Sequence, residues 1–347
     1  MVVSTYYKTK DGEDFNNEQE GQNHANGLGY MDKGLEASQR GDHDEAISYY
    51  DMAIPLLSGR NAGTYGRSKG IAYMNRGVSN YKKGNYDQAI EDCNAALIYR
   101  IGIGSSGEAT AYNTRGSAYD GKGNKEQAIA DYKKAADLGN KSALKNLADL
   151  EASLEASDLV DQGEAAYNAK DYAKALELFR KAADMGRADA QHNLGYLYSV
   201  GEGVPKDMTK AIEWWEKAVA QGGSISQFNL GNAYKNGNGV PKDMNKAAEW
   251  YEKGANLGDA KAMNSLGYCY LEGNGKPKDQ AKAVEWFRKA IDAGNNSAID
   301  SLGECYRDGT GVKQDFAKAE QLFNEALAKG IKASADNLAK LKQMRGR

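Results

Sequence analysis

Residues 188–330 repeat one pattern four times. LGYLYSVGEGVPKD at 194 returns as LGNAYKNGNGVPKD at 230, LGYCYLEGNGKPKD at 266 and LGECYRDGTGVKQD at 302. Gly195, Gly231, Gly267 and Gly303 lie 36 residues apart, and Trp214, Trp250, Trp286 and Leu322 keep the same step in the second half of each unit. A fixed period of this length belongs to solenoids, because one such unit cannot bury its apolar face alone and must stack on its neighbours.

The unit has a physical logic. In the third copy Met263, Leu266, Gly267 and Tyr270 fall at i, i+3, i+4 and i+7, one face of a helix. GNGKPKD then stops that helix, since Pro277 cannot occupy a helix interior. Asp279 is expected at the N-cap of a second helix, AKAVEWFRKAIDAG, closed by Gly294. A glycine inside the first helix costs about 1 kcal/mol relative to alanine. Its return in every copy predicts a helix approach too close for a side chain. Glu213–Lys217, Glu249–Lys253 and Glu285–Lys289 are i,i+4 pairs in the favourable order, worth about 0.2–0.5 kcal/mol each. The second helix is therefore expected to bury a stripe led by the tryptophans and to expose a charged one.

The pattern LGxxYxxGxGVPKDxxKAxEWxxKAxxxG closely resembles the Sel1-like repeat over residues 188–330. The last copy departs, with Lys313, Gln314 and Leu322 in place of proline, lysine and tryptophan, as expected of a terminal repeat. Upstream, KGLEASQRGDHDEAISYYDMAI, NRGVSNYKKGNYDQAIEDCNAALIY and TRGSAYDGKGNKEQAIADYKKAADLG resemble tetratricopeptide repeats, whose core is G-x2-Y…A-x3-F…A. SDLVDQGEAAYNAKDYAKALELFRKAADMG, 157–186, is a fourth such pair. Its Asp171, Lys174, Ala175 and Gly186 precede Asp207, Lys210, Ala211 and Gly222 by 36 residues, so it joins the second array. The expected fold is all-α, a right-handed α-solenoid superhelix of helix–loop–helix repeats with no strand. A flexible tail is expected over 1–27, a first array over 28–156 with an extra helix at 141–156, and a second array over 157–347 ending in a capping helix. The predicted pairs lie near 28–54, 71–99, 109–138, 157–186, 188–222, 224–258, 260–294 and 296–330, with the cap near 332–344.

Composition narrows the function. The chain has 347 residues and a net charge of −3 from 45 basic and 48 acidic side chains. That balance gives no general attraction to nucleic acid or an anionic membrane. No stretch approaches the ~18–20 apolar residues that span a bilayer. MVVSTYYKTKDGEDFNN lacks the basic and apolar regions of a signal peptide. The expectation is a cytoplasmic monomer, or a secreted or periplasmic one if a signal has been removed. Cys93, Cys269 and Cys305 are an odd, sparse set. Cys269 and Cys305 sit one period apart, on helices expected about 8–10 Å from each other, beyond the roughly 7 Å Cα reach of a disulfide. Buried free thiols are expected, unlike the cysteine-rich secreted branch of the Sel1-like family.

Nothing in the sequence assembles a reactive centre. His24, His43 and His192 share no metal-ligand spacing, and no GxSxG occurs. The GxG loops follow helices, not strands, so they are no dinucleotide fingerprint. PLLSGRNAGTYGRSKG, 55–70, lacks the GK[ST] ending of a P-loop, and DGEDFNNEQEG lacks the spacing of an EF-hand. No cofactor, metal or catalytic residue is assigned, and the periodic tryptophans are taken as core. Both resemblances imply a non-catalytic scaffold for protein partners. The alternative, from some Sel1-like relatives, is an envelope-associated hydrolase of β-lactamase-like or peptidoglycan-related type, which would need a convergent nucleophile and base. The carboxylate clamp of some tetratricopeptide proteins is not expected, because the outward positions are Ile71, Met74, Val78 and Tyr81, then Thr110, Asn113 and Ser117.

Comparison of the four copies places a partner groove. Leu194, Leu230, Leu266 and Leu302 form one invariant column, and Tyr198, Tyr234, Tyr270 and Tyr306 another. The columns His192, Phe228, Asn264, Asp300 and Tyr196, Asn232, Tyr268, Glu304 vary. First helices line the concave side of a helical solenoid. His192, Tyr196, Phe228, Asn232, Asn264 and Tyr268 are therefore expected to form an exposed strip of aromatic anchors amid polar groups, the composition of binding hot spots.

Overall fold

A computed structural model describes residues 7–8, 14–15, 18–57 and 66–345. Seventeen helices occupy most of them. The chain divides into two units, Met1–Leu154 and Glu155–Arg347, each an α-solenoid in which helices stack in chain order.

The first unit holds α1 (Glu18–Arg40), α2 (His43–Leu56), α3 (Arg67–Lys82), α4 (Tyr86–Ile98), α5 (Arg100–Gly121) and α6 (Lys125–Asp137). The next helix, α7 (Lys141–Asn168), serves both units. Its Ala143 and Leu150 pack with Ala128 and Tyr132, and its Val160 and Ala166 pack with Ala175 and Phe179. The second unit continues with α8 (Tyr172–Asp184), α9 (Ala188–Val200), α10 (Met208–Ala220), α11 (Ser224–Asn236), α12 (Met244–Asn256), α13 (Ala260–Glu272), α14 (Gln280–Asp292), α15 (Asn296–Asp308), α16 (Phe316–Ala328) and α17 (Ser334–Arg345).

Three expectations about these elements need correction. A strand pair exists: β1 (Tyr7–Lys8) and β2 (Asp14–Phe15) are antiparallel, with Tyr7 opposite Phe15. Helix α1 begins at Glu18, inside the expected tail, because Leu28 is buried and Gly27 sits against Leu57 so closely that a Cβ would meet its side chain at 3.0 Å. The extra helix and the first helix of the fourth pair are one continuous element, α7, with only Gly163 in its run and no proline to stop it. The insert between the second and third pairs is helical too, bent at Gly104, whose φ of 70° and ψ of 173° only glycine tolerates. Half of the 55–70 stretch, residues 58–65, lies outside the described residues.

The interior glycines have their explanation. A Cβ on Gly267 would lie 2.5 Å from the Phe287 ring, one on Gly231 2.5 Å from Tyr251, and one on Gly303 2.6 Å from Phe323. Gly195 faces Trp215 in the same way. The close approach is that of an aromatic ring set against the first helix at its glycine. The first unit repeats the device with Gly34 under Tyr50 and Gly116 under Tyr132.

These partners correct the tryptophan assignment. The buried aromatic column is Trp215, Tyr251, Phe287 and Phe323, one residue beyond Trp214, Trp250 and Trp286. Those three tryptophans are half-buried, and Lys217, Lys253 and Lys289 hold their ammonium groups 4.0, 4.1 and 4.3 Å from the ring centres. The lysines expected to pair with Glu213, Glu249 and Glu285 make cation–π contacts instead.

Each connecting loop is pinned at both ends. Gly201, Gly237, Gly273 and Gly309 close the first helices in the left-handed conformation. Asp207, Asp243, Asp279 and Asp315 cap the second helices by accepting from backbone N–H groups inside the first turn. Each of these aspartates also donates its own N–H to the carbonyl of Tyr198, Tyr234, Tyr270 or Tyr306. In the first unit, Asp92 is buried and receives Arg76 through both Nε and Nη2, together with Asn80. Arg115 and Asp131 repeat that fork one pair later. Cys93, Cys269 and Cys305 are buried free thiols.

Candidate partner-binding clefts

The variable first-helix columns of the second unit hang from a rigid frame. Leu194, Leu230, Leu266 and Leu302 are all buried and fix the rotation of α9, α11, α13 and α15. The neighbouring tyrosine column is less deeply placed: Tyr198 is buried, while Tyr234, Tyr270 and Tyr306 are half-buried. Lys210, Lys246 and Lys282 lie over the rings of Tyr198, Tyr234 and Tyr270 at 5.5, 5.2 and 5.6 Å.

With that rotation fixed, the six expected groove residues have different fates. Tyr196 is 40% exposed, and the other five are half-buried. His192 Nδ1 meets Ser226 Oγ at 2.9 Å. Asn232 accepts from the Tyr251 hydroxyl at 2.7 Å. Tyr268 and Ser301 share a hydrogen bond of 2.8 Å, and Ser301 Oγ also donates to Asn264 at 3.4 Å. Phe228 packs tilted on Tyr251, with ring centres 6.0 Å apart. Further along, Asp300 accepts from Asn337 and Ser334. These columns thus tie α9 to α11, α13 to α15 and α15 to α17, while Asn232 and Phe228 pack on α12 of their own repeat.

The strip nevertheless opens into two clefts. The first has a volume of about 370 Å³ and is lined by Glu164, Tyr167 and Asn168 of α7, Phe179 of α8, and His192, Asn193, Tyr196 and Leu197 of α9. The second, about 430 Å³, is walled by Phe228, Lys261, Asn264, Ser265, Asn295 and Asn296, among others. His192 and Tyr196 therefore share one cleft, Phe228 and Asn264 share the other, and Asn232 and Tyr268 line neither.

Tyr167 was missed in the sequence. It stands four residues after Gly163, in a helix outside the four aligned copies. Its ring packs edge-on to Tyr196 at 6.1 Å and tilted against Tyr172 at 5.3 Å. Burial depresses the His192 pKa below the ordinary imidazole range, so the ring is neutral at pH 7. Among the described residues, no group of three or more His, Cys, Asp or Glu side chains is placed to hold a metal ion. No described helix is long and apolar enough to cross a membrane.

Stacked helical pairs with a ring-on-glycine interior and clefts along the first helices define a helical-repeat protein. The chain belongs to the Sel1 repeat family, whose pattern matches residues 25–54, 169–186, 188–223, 224–259, 260–295 and 297–331. A tetratricopeptide repeat pattern matches residues 69–141. The first helical pair, expected to be tetratricopeptide-like, thus matches the Sel1 pattern instead. Repeats of these two kinds are generally protein-interaction scaffolds and typically non-catalytic. No curated protein matches the chain. Among solved structures, a Sel1 repeat protein from Oxalobacter formigenes is 37% identical, covering 49% of this chain and 70% of its own, with a TM-score of 0.46. The protein c5321, a protective antigen of uropathogenic Escherichia coli with the same repeat fold, is 23% identical over 94% of this chain and 80% of its own, with a TM-score of 0.42. Helicobacter pylori cysteine rich protein B is 29% identical over 38% of this chain and 95% of its own, with a TM-score of 0.32.

Proposed function

We propose that this chain is a non-catalytic scaffold that holds a protein partner along the first helices of its second unit. This is the side that a helical solenoid turns inward. The observation that carries the reading is the pair of clefts. Both open on the variable columns, and both combine aromatic walls with amide groups. The invariant leucines are spent on packing between repeats. A partner segment lying across α9, α11 and α13 would set one side chain into each cleft, with Tyr196 as the exposed anchor. Anchors of this kind carry most of the binding energy at protein interfaces.

Tyr196→Ala combined with Phe228→Ala is expected to weaken a captured partner by more than about 2 kcal/mol, with helical circular dichroism unchanged. Substitution of Glu213, Glu249 and Glu285 on the opposite helices is expected to leave the partner bound. Full affinity in the first variant and loss in the second would place the interface on the other face.

A further inference from the structure

The cleft beside the end of α7 is set apart by its charge. Its lining includes Glu164 and neither lysine nor arginine. His192, the one residue there able to become cationic near neutrality, is held neutral by burial.

A second carboxylate stands nearby. Glu202 belongs to the loop between α9 and α10, at a position where later copies carry Asn238, Asn274 and Thr310. Its Oε2 is buried and has no hydrogen-bond partner. The loop cannot swing it away. Gly203 lies on the start of α8, where a Cβ would come within 2.5 Å of the Tyr172 carbonyl oxygen. Glu202 is thereby held beside Tyr167 and Tyr172. Tyr167 is pushed above the ordinary tyrosine range by Tyr196 first, then by burial and Glu202. Tyr172 is raised as well, by desolvation and then by Glu202. These phenols stay protonated, and none supplies the positive charge that the carboxylate lacks.

Glu202 is half-buried, and its Oε2 is a buried acceptor that a cation's N–H group would satisfy. The cleft offers the rest of what such a cation needs. The rings of Tyr167 and Tyr196 present π-faces that attract it. Phe179 and Leu197 give an apolar bed for the methylenes of a long side chain. Asn168 and Asn193 bring amide oxygens that accept N–H bonds. Among the described residues of the second unit, no other repeat assembles this set. Within the second unit the positions equivalent to Tyr167 are Ser199, Lys235, Leu271 and Arg307, two of them already basic; in the first unit Tyr81 holds that place.

We propose that this cleft receives a basic side chain, arginine or lysine, from the partner segment. The proposal rests on the scaffold reading and adds the chemistry of the residue that binds at its first cleft.

The test is fluorescence anisotropy with the full chain and labelled peptides of one alanine–leucine–serine frame, carrying a single central arginine, lysine, citrulline or glutamate. The arginine and lysine peptides are expected to bind at least about tenfold more tightly than the citrulline and glutamate ones. Glu164→Gln with Glu202→Gln is expected to abolish that preference while leaving citrulline binding and circular dichroism unchanged. Equal affinity for arginine and citrulline, no binding by any peptide, or a preference that survives both substitutions would overturn the proposal. Its failure is separable from that of the scaffold reading. If arginine and citrulline bind alike but Tyr196→Ala with Phe228→Ala still releases the captured partner, the strip stands and the cation site falls. If the double variant keeps its partner while the glutamate substitutions erase the arginine preference, the cation site stands and the strip falls.

Discussion

Two adjacent residues of α14 separate the packing account from the periodicity that suggested it. Phe287 is fully buried with its ring against Gly267, whereas Trp286 is half-buried beneath the Lys289 ammonium. Phe287→Ala is expected to cost about 3–5 kcal/mol, the range for emptying an aromatic core site. Trp286→Ala forfeits partial burial and one exposed cation–π contact, about 1–2 kcal/mol together. Gly267→Ala drives a methyl into the Phe287 ring at 2.5 Å, an overpacking cost of about 1–3 kcal/mol. Once the ring is gone, that methyl falls into the void. The double variant Gly267→Ala, Phe287→Ala should therefore be less destabilised than the sum of the singles, by about 1–2 kcal/mol. All four tryptophans lie between 214 and 286, inside the second unit. Urea unfolding followed by tryptophan fluorescence consequently reports that unit without the first, which matters because long repeat arrays lose all-or-none behaviour. A larger loss for Trp286→Ala than for Phe287→Ala, or strict additivity in the double variant, would refute the ring-on-glycine account.

Three further outcomes are expected. Gly275→Ala should destabilise by about 1–3 kcal/mol more than Gly258→Ala: both have positive φ, but a Cβ on Gly275 runs into the Met244 carbonyl while one on Gly258 meets open space. Urea titrations of the two variants check this, and equal losses would mean that the loop does not rest on the preceding helix. Burial pushes the thiols of Cys93 and Cys305 up to about 12 and that of Cys269 up to about 11, from an ordinary 9. The neutral thiols favour the fold fully below pH 9, and that contribution fades as pH rises through 11–12; native chain should resist alkylation at pH 8 and react at all three sites in urea, and a triple Cys→Ala variant should lose less stability than wild type between pH 8 and 10. Peptides ending in a free carboxylate of the EEVD type should bind no better than their amidated forms, measured by calorimetry, because in the first unit Ser117 is taken by Tyr132 and Asn113 by Asn146.

The helical ladder was legible because each punctuation mark has its own chemistry. Glycine at a left-handed closure and aspartate at an N-cap recur every 36 residues, and both perform as their residue types require. Phase was harder. Tryptophan is invariant at 214, 250 and 286, yet the core takes the next column, which varies as Trp215, Tyr251, Phe287 and Phe323. A glycine seat accepts any flat ring, so the buried column tolerates change, while the partly exposed one is uniform. The α7 fusion was missed because a tetratricopeptide resemblance begins near 157, although no helix breaker stands between Lys141 and Gly163. The start of α1 was missed because its polar run hides the packing of Gly27 and Leu28.

Variation among copies was taken as a sign of exposure, and that inference holds only in part. The variable first-helix residues are hydrogen-bonded from one repeat to the next: His192 to Ser226, Tyr268 to Ser301, Asp300 to Asn337. Such positions change together because a donor on one helix needs an acceptor on its neighbour, whatever binds outside. Internal comparison cannot separate that pairwise demand from the demand of a partner; solvent exposure can. Of the six residues proposed from the sequence, Tyr196 alone is exposed as well as variable. It stands where α9 meets the end of α7, beside a tyrosine that no aligned copy supplies and near a carboxylate that no other copy places in its loop. A periodic scaffold gives every repeat the same backbone, so selectivity must come from places where the period is broken. The junction between the two repeat styles is such a place, and Glu164 and Glu202 are the groups that the proposed basic side chain would meet there.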